Sequence, residues 1–178
     1  MSAEKATTSS MIHRYGSVLL YWVIFIGILG LMVFINEKWP KAVEVHFSRW
    51  TAELAGWIMR VIGMGGTVEG IYITNSYCRF YIIGECTAYY PLAIYLAAVA
   101  AFPVSVVRKL LGLAFGIPLL LLVNQARLVS LCYIYRSYPD LFDSIHALVW
   151  QSLMIFFTVI IWILWISTLG PRHETEST

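Results

Sequence analysis

The chain has 178 residues, of which 60% are hydrophobic, 15% aromatic and only 12% charged, with a formal net charge of +2. Soluble domains carry about 25% charged residues, so this composition excludes an ordinary soluble domain, and the small net charge gives no reason to expect nucleic acid as a partner. The apolar residues fall in long blocks, which is the pattern of an integral membrane protein and makes the lipid bilayer its first partner.

In chain order, the polar segment MSAEKATTSS precedes a first apolar run with no small-residue cleavage site, read as a retained helix rather than a signal peptide. Four spans are predicted, at 17–35, 87–107, 110–135 and 146–169, within a single integral membrane domain, 1–178, with tails at 1–16 and 170–178. Each is near the roughly 20 residues that cross a bilayer core of about 30 Å. A kink is expected in the third at Gly116-Ile117-Pro118. The short turn carrying Arg108 and Lys109 is expected to be cytoplasmic, which puts both tails inside and segment 36–86 outside. The Lys and Arg residues of 36–86 (Lys38, Lys41, Arg49, Arg60 and Arg79) vote the other way.

That outer segment has structure of its own. Phe47, Trp50, Leu54, Trp57, Ile58 and Val61 recur at steps of three and four, which predicts an amphipathic helix lying in the headgroup region. Gly63-Met64-Gly65-Gly66 ends it. Two β-rich runs follow, 70–74 and 77–83, joined at Asn75-Ser76 as a hairpin whose second strand leads into Gly84-Glu85-Cys86. The fold class is therefore all-α and polytopic, with one interfacial helix and a small extracytoplasmic β-hairpin.

Three residues carry chemistry. Cys86 is placed at the start of the second span, where free backbone N–H groups favour a thiolate. A disulfide with Cys78 is the bland alternative for it. Cys132, inside an apolar helix, reads as core packing. Arg127, in LLLVNQARLVSL, lies about 10 Å below the outer end of the third span. A guanidinium at the bilayer centre costs about 2.5–3.5 kcal/mol or more, so it should face the bundle interior and a partner. Asn124 shares its face, one turn earlier. His146 opens the fourth span, with Asp140 and Asp143 near enough to orient it or to serve as loop and cap residues. His13, His46 and His173 stand apart. A thiol, a guanidinium and an imidazole on one side are the parts of cysteine-based acyl transfer.

The strand into Glu85-Cys86-Thr87-Ala88, the segment Asn124-Gln125-Ala126-Arg127-Leu128 and His146 together resemble the exosortase/archaeosortase family over roughly residues 70–165. The family's cysteine is usually followed by Ser-Gly, where this chain has Thr87-Ala88; its short length looks more like the compact subtype called exosortase H. The resemblance implies a cysteine transpeptidase of the cytoplasmic membrane with its site on the extracytoplasmic side. Its substrates would be C-terminal sorting-signal tails of the PEP-CTERM kind on exported proteins. It implies Cys86 as nucleophile, His146 as general acid/base, Arg127 as oxyanion stabiliser and Asn124 and Glu85 in support, with no metal or cofactor. Two other readings fit the residues. One is a non-enzymatic scaffold with a Cys78–Cys86 disulfide, and the other a transporter subunit using Arg127 to bind an anion.

Overall fold

The apolar blocks become helices because lipid leaves the backbone no other hydrogen-bond partner. A computed structural model describes residues 2–38 and 40–169. Helix α1 (Ser2–Lys38) contains the apolar stretch Val18–Ile35, and α2 (Pro40–Val61) follows. A three-stranded antiparallel sheet, β1 (Thr67–Glu69), β2 (Tyr72–Thr74) and β3 (Arg79–Tyr81), leads to α3 (Tyr89–Ala101) and α4 (Val106–Ser137). After a 3-10 turn at Pro139–Leu141 come α5 (Phe142–Ser144), a π-helical stretch (Ile145–Trp150) and α6 (Gln151–Leu169). Three helical stretches are long and apolar enough to cross a membrane: Val18–Ile35, Val106–Ser137 and Pro139–Thr168. The expected tail with His173 lies outside the described residues.

Several elements differ from the sequence reading. The second predicted span is a 13-residue helix rather than one covering 87–107. It starts at Tyr89 because Ala88 is its N-cap, and it ends at Phe102, the C-cap, whose extended backbone leads into Pro103. Thirteen residues rise about 20 Å, some two-thirds of a bilayer core. Helix α4 continues through Pro118, as the predicted third span requires, and begins and ends a few residues beyond its bounds. The hairpin is the outer pair of a larger sheet: β1, unforeseen, pairs with β2, setting Val68 opposite Ile73, and Ile73 is in turn opposite Phe80. The β2–β3 connection is closed by Asn75, whose Oδ1 accepts the N–H groups of Tyr77 and Cys78 at 2.8 Å each.

The apolar stripe foreseen on α2 is divided: Phe47, Leu54 and Ile58 are half-buried against the protein and the rest faces outward. Trp50, Trp57 and Val61 are exposed, while Ser48, Thr51, Ala52, Ala55 and Met59 are buried. Small side chains let α2 pack closely, leaving the tryptophans for the headgroup region that suits them. Ala52, Ala55 and Met59 share a core cluster with Ile73, Ile82, Leu128 and Cys132, so the sheet and α2 sit against the C-terminal part of α4.

Cysteine pairing is also corrected. Cys78 is bonded to Cys132, not to Cys86, and Cys86 is the free cysteine. The bridge fastens the chain just before β3 to α4. Cys132 is therefore a covalent anchor rather than ordinary packing, and the scaffold reading loses the disulfide on which it rested. Deeper in the bundle, two glycines of α4 admit its neighbours, Gly116 facing α3 and Gly112 facing α6. A Cβ on Gly116 would fall inside the Tyr95 ring and one on Gly112 inside the Trp165 indole. The Tyr95 hydroxyl donates to the Gly112 carbonyl at 2.8 Å, closing that contact with a hydrogen bond.

Candidate active site

Cys86 ends a 3-10 turn, Gly84–Cys86, that joins the sheet to α3. Thr87 holds this turn. Its hydroxyl donates to the Gly84 carbonyl at 2.7 Å and accepts the Tyr89 N–H at 3.3 Å, so one side chain ties the turn to the first residue of α3. Tyr89 is fixed in turn, its hydroxyl donating to the Met32 carbonyl of α1 and its ring lying edge-on to Phe47 of α2. The cysteine thus precedes α3 by a separate turn and does not occupy the first turn of a helix. Burial pushes its thiol above the ordinary range, and the Glu85 charge adds to the rise. A backbone hydrogen bond at Ile83 and the Arg127 charge pull the other way. This reverses the expectation of a thiol lowered by a helix N-terminus.

Helix α4 supplies two side chains one turn apart. Asn124 Nδ2 donates to the Cys86 carbonyl at 3.2 Å, and Arg127 Nη1 donates to the Glu85 carbonyl at 3.1 Å. Two successive carbonyls of the cysteine turn are therefore gripped from the same helix face. Both donors are buried, Arg127 at 3% exposure. This is the interior-facing arrangement that the cost of a membrane guanidinium demands. The partners of Arg127 are a carbonyl and an imidazole, and no ion pair with a carboxylate is present among the described residues.

His146 completes the cluster. Its Nε2 lies 3.6 Å from Cys86 Sγ and 3.1 Å from Arg127 Nη2. It sits inside the π-helical stretch instead of at a helix start. Such wide turns often occur at functional sites. The ring is stacked parallel on Phe142, with centroids 5.8 Å apart and 3° between planes, and Phe142 rests edge-on against Tyr135 of α4. Neither Asp140 nor Asp143 hydrogen-bonds to it among the described residues; an aromatic plane orients the imidazole instead. Glu85 contributes its carbonyl, while its side chain is exposed. His46 is exposed on α2, away from the cluster.

The structure thus brings Cys86 and Arg127 to the same nitrogen of His146, with Asn124 and the Glu85 carbonyl beside them. Sequence reasoning overlooked Thr87 and Phe142. Thr87 was visible as the residue after the cysteine, and Phe142 as the residue one turn before the histidine. Fold and site define a multi-pass helical membrane protein with a thiol–imidazole–guanidinium cluster at one end of its bundle. The chain belongs to the transmembrane exosortase family, whose family model matches residues 7–166. No curated protein and no solved structure matches it.

Proposed function

We propose that the chain is a cysteine transpeptidase that cleaves C-terminal sorting signals, of the PEP-CTERM kind, from exported proteins at the outer face of the cytoplasmic membrane. The observation that carries this reading is the 3.6 Å approach of Cys86 Sγ to His146 Nε2, with Arg127 reaching the same nitrogen. A nucleophile and base within reach, beside a fixed cation, are the working parts of acyl transfer.

In the proposed reaction the Cys86 proton passes to His146 Nε2 as Sγ adds to the scissile carbonyl carbon. Arg127 stabilises the oxyanion, where a cation in a dry site acts more strongly than in water. Collapse breaks the C–N bond, and the proton on Nε2 leaves with the amine, giving a thioester on Cys86. Water or an acceptor amine then releases the acyl group. Asn124 keeps the cysteine turn in place through its carbonyl.

Two observations support an extracytoplasmic site. A Cys78–Cys132 disulfide belongs to an oxidising compartment, and Arg108 and Lys109 mark the opposite end of α4 as the cytoplasmic one. The test is coexpression with an exported reporter ending in a sorting signal, followed by its size on gels. Cys86→Ala should abolish processing, and His146→Ala should reduce it about 10²–10⁴-fold, with both variants still inserted in the membrane. Unchanged processing in His146→Ala would end the Cys–His reading.

A further inference from the structure

One nitrogen is claimed by two groups. His146 Nε2 lies 3.1 Å from Arg127 Nη2 and 3.6 Å from Cys86 Sγ. A guanidinium has only donors and does not deprotonate, so Nε2 must accept from it. The imidazole is then neutral, with its hydrogen on Nδ1. An imidazole nitrogen has a single lone pair in the ring plane. While Nη2–H occupies it, the Cys86 proton has nowhere to go.

The surroundings favour this arrangement. Phe142 holds the ring by stacking, and the Glu85 carbonyl holds Nη1 at 3.1 Å. Besides Arg127 and Cys86, the titratable groups acting on the ring are Glu85 and Asp143, both exposed and neither hydrogen-bonded to it among the described residues. Arg127 Nε is buried without a hydrogen-bond partner, so the guanidinium is held through Nη1 and Nη2 alone, and the Nη1 bond to the Glu85 carbonyl remains when Nη2 changes partner.

We propose that Arg127 is a latch as well as an oxyanion stabiliser: seated on Nε2 it keeps the Cys86–His146 pair as thiol and neutral imidazole, and it lets go only when a substrate carbonyl draws Nη2 away. This rests on the reading of Cys86 as nucleophile and His146 as its base. Release and activation are one exchange. The Nη2–H bond to Nε2 is replaced by one to the substrate carbonyl oxygen. The Sγ proton moves to the vacated Nε2, the S–C bond forms, and the carbonyl π pair becomes the oxyanion facing Arg127. Collapse returns the pair to C=O, breaks C–N and sends the Nε2 proton out on the amine. No co-reactant is required. Burial of Cys86 acts in the same sense, since it too favours the thiol in the resting site. An idle enzyme in an oxidising space is thereby spared a standing thiolate, the form that oxidants attack.

The test uses the full chain in lipid nanodiscs with its disulfide intact, so that Cys86 is the reactive thiol. First, ¹⁵N-histidine NMR of the wild type should show His146 Nε2 as an unprotonated acceptor at neutral pH. It should become protonated when a Pro-Glu-Pro peptide aldehyde forms its hemithioacetal on Cys86. Second, Arg127→Lys keeps the positive charge but loses the planar fork. Its Cys86 should react with chloroacetamide about tenfold faster at pH 7, the equivalent of a one-unit fall in the thiol midpoint, while turnover drops. An Nε2 already protonated in the resting wild type overturns the latch, as does an unchanged alkylation rate in a folded Arg127→Lys protein. If that variant fails to fold, the wild-type NMR result decides alone. Failure of the aldehyde to form any adduct with Cys86 overturns the nucleophile reading itself.

Discussion

Replacing Cys78 and Cys132 by serine together should loosen the outer layer from α4 without unfolding the spans. The bridge closes 54 residues of sequence, and a free coil of that size would lose about 4 kcal/mol of stabilisation on its removal. Most of the loop is not coil, however. Helix α3 and the enclosed part of α4 stay helical in lipid when the outer layer opens, which leaves about 14 residues (79–88 and 102–105) to gain freedom; a loop of about 15 residues corresponds to roughly 3 kcal/mol. That is about a hundredfold increase in the open population. Cys86 reports the opening directly, because it is buried beneath this layer and is the free thiol. A bulky membrane-impermeant maleimide should label it about 100 times faster in the double-serine variant when opening limits the rate. A rate within threefold of wild type would show that the bridge does not hold the layer down. The premise has its own check: unreduced wild type should take up one maleimide by mass, and reduced, denatured protein three.

Other outcomes follow from the same contacts. Gly116→Val should destabilise the bundle by about 1–3 kcal/mol or more, read as a lower melting temperature in detergent, because the added carbons occupy the Tyr95 ring. A melting temperature equal to wild type would mean that α3 and α4 do not meet there. Asn124→Ala removes the donor to the Cys86 carbonyl and should cost about 1–3 kcal/mol. It should also lower processing, while Asn124→Asp, which offers an acceptor where a donor is needed, should not restore it. Alkylation of Cys86 by a small neutral reagent should rise with pH through a midpoint above the free-thiol value of about 8.5. The folded state retains its proton above the pH at which the unfolded thiol loses it, so stability contributed by this group is full below about pH 8.5 and falls as pH rises beyond it. A midpoint well below that value would contradict the buried thiol described here.

The cluster was legible in the sequence because each member is costly where it stands. An arginine within an apolar helix, with an asparagine one turn earlier, announces an interior polar site, and a cysteine and a histidine fall at the same predicted level of neighbouring spans. The cysteine pairing was not legible. Three thiols allow three bridges, and their spacing along the chain says nothing about which sulfurs a folded sheet brings to α4. The start of α3 was hidden because Thr87-Ala88 continues the apolar run, and only the Thr87 hydroxyl bonds mark the break. On α2 the large side chains gave the helix and its period but not the small-residue face by which it packs. Tryptophans dominate any hydrophobic pattern, yet the helix packs through Ser48, Thr51, Ala52 and Ala55.

The shortness of α3 has a geometric consequence. Its C-terminal end meets the turn carrying Arg108 and Lys109, where the Lys109 ammonium donates to the Ala100 carbonyl. From that membrane face its 13 residues climb only about 20 Å, so Cys86 stands below the far boundary of a hydrocarbon layer of about 30 Å. Arg127, seventeen positions beyond Leu110, reaches about 25 Å along α4, at a similar level. Helix α3 is therefore a ruler. Under the function proposed above, a membrane-anchored substrate tail would meet the thiol at a height fixed by helical rise, so that the length of its apolar segment would help to set which bond is offered. Thicker or thinner bilayers would move that mark.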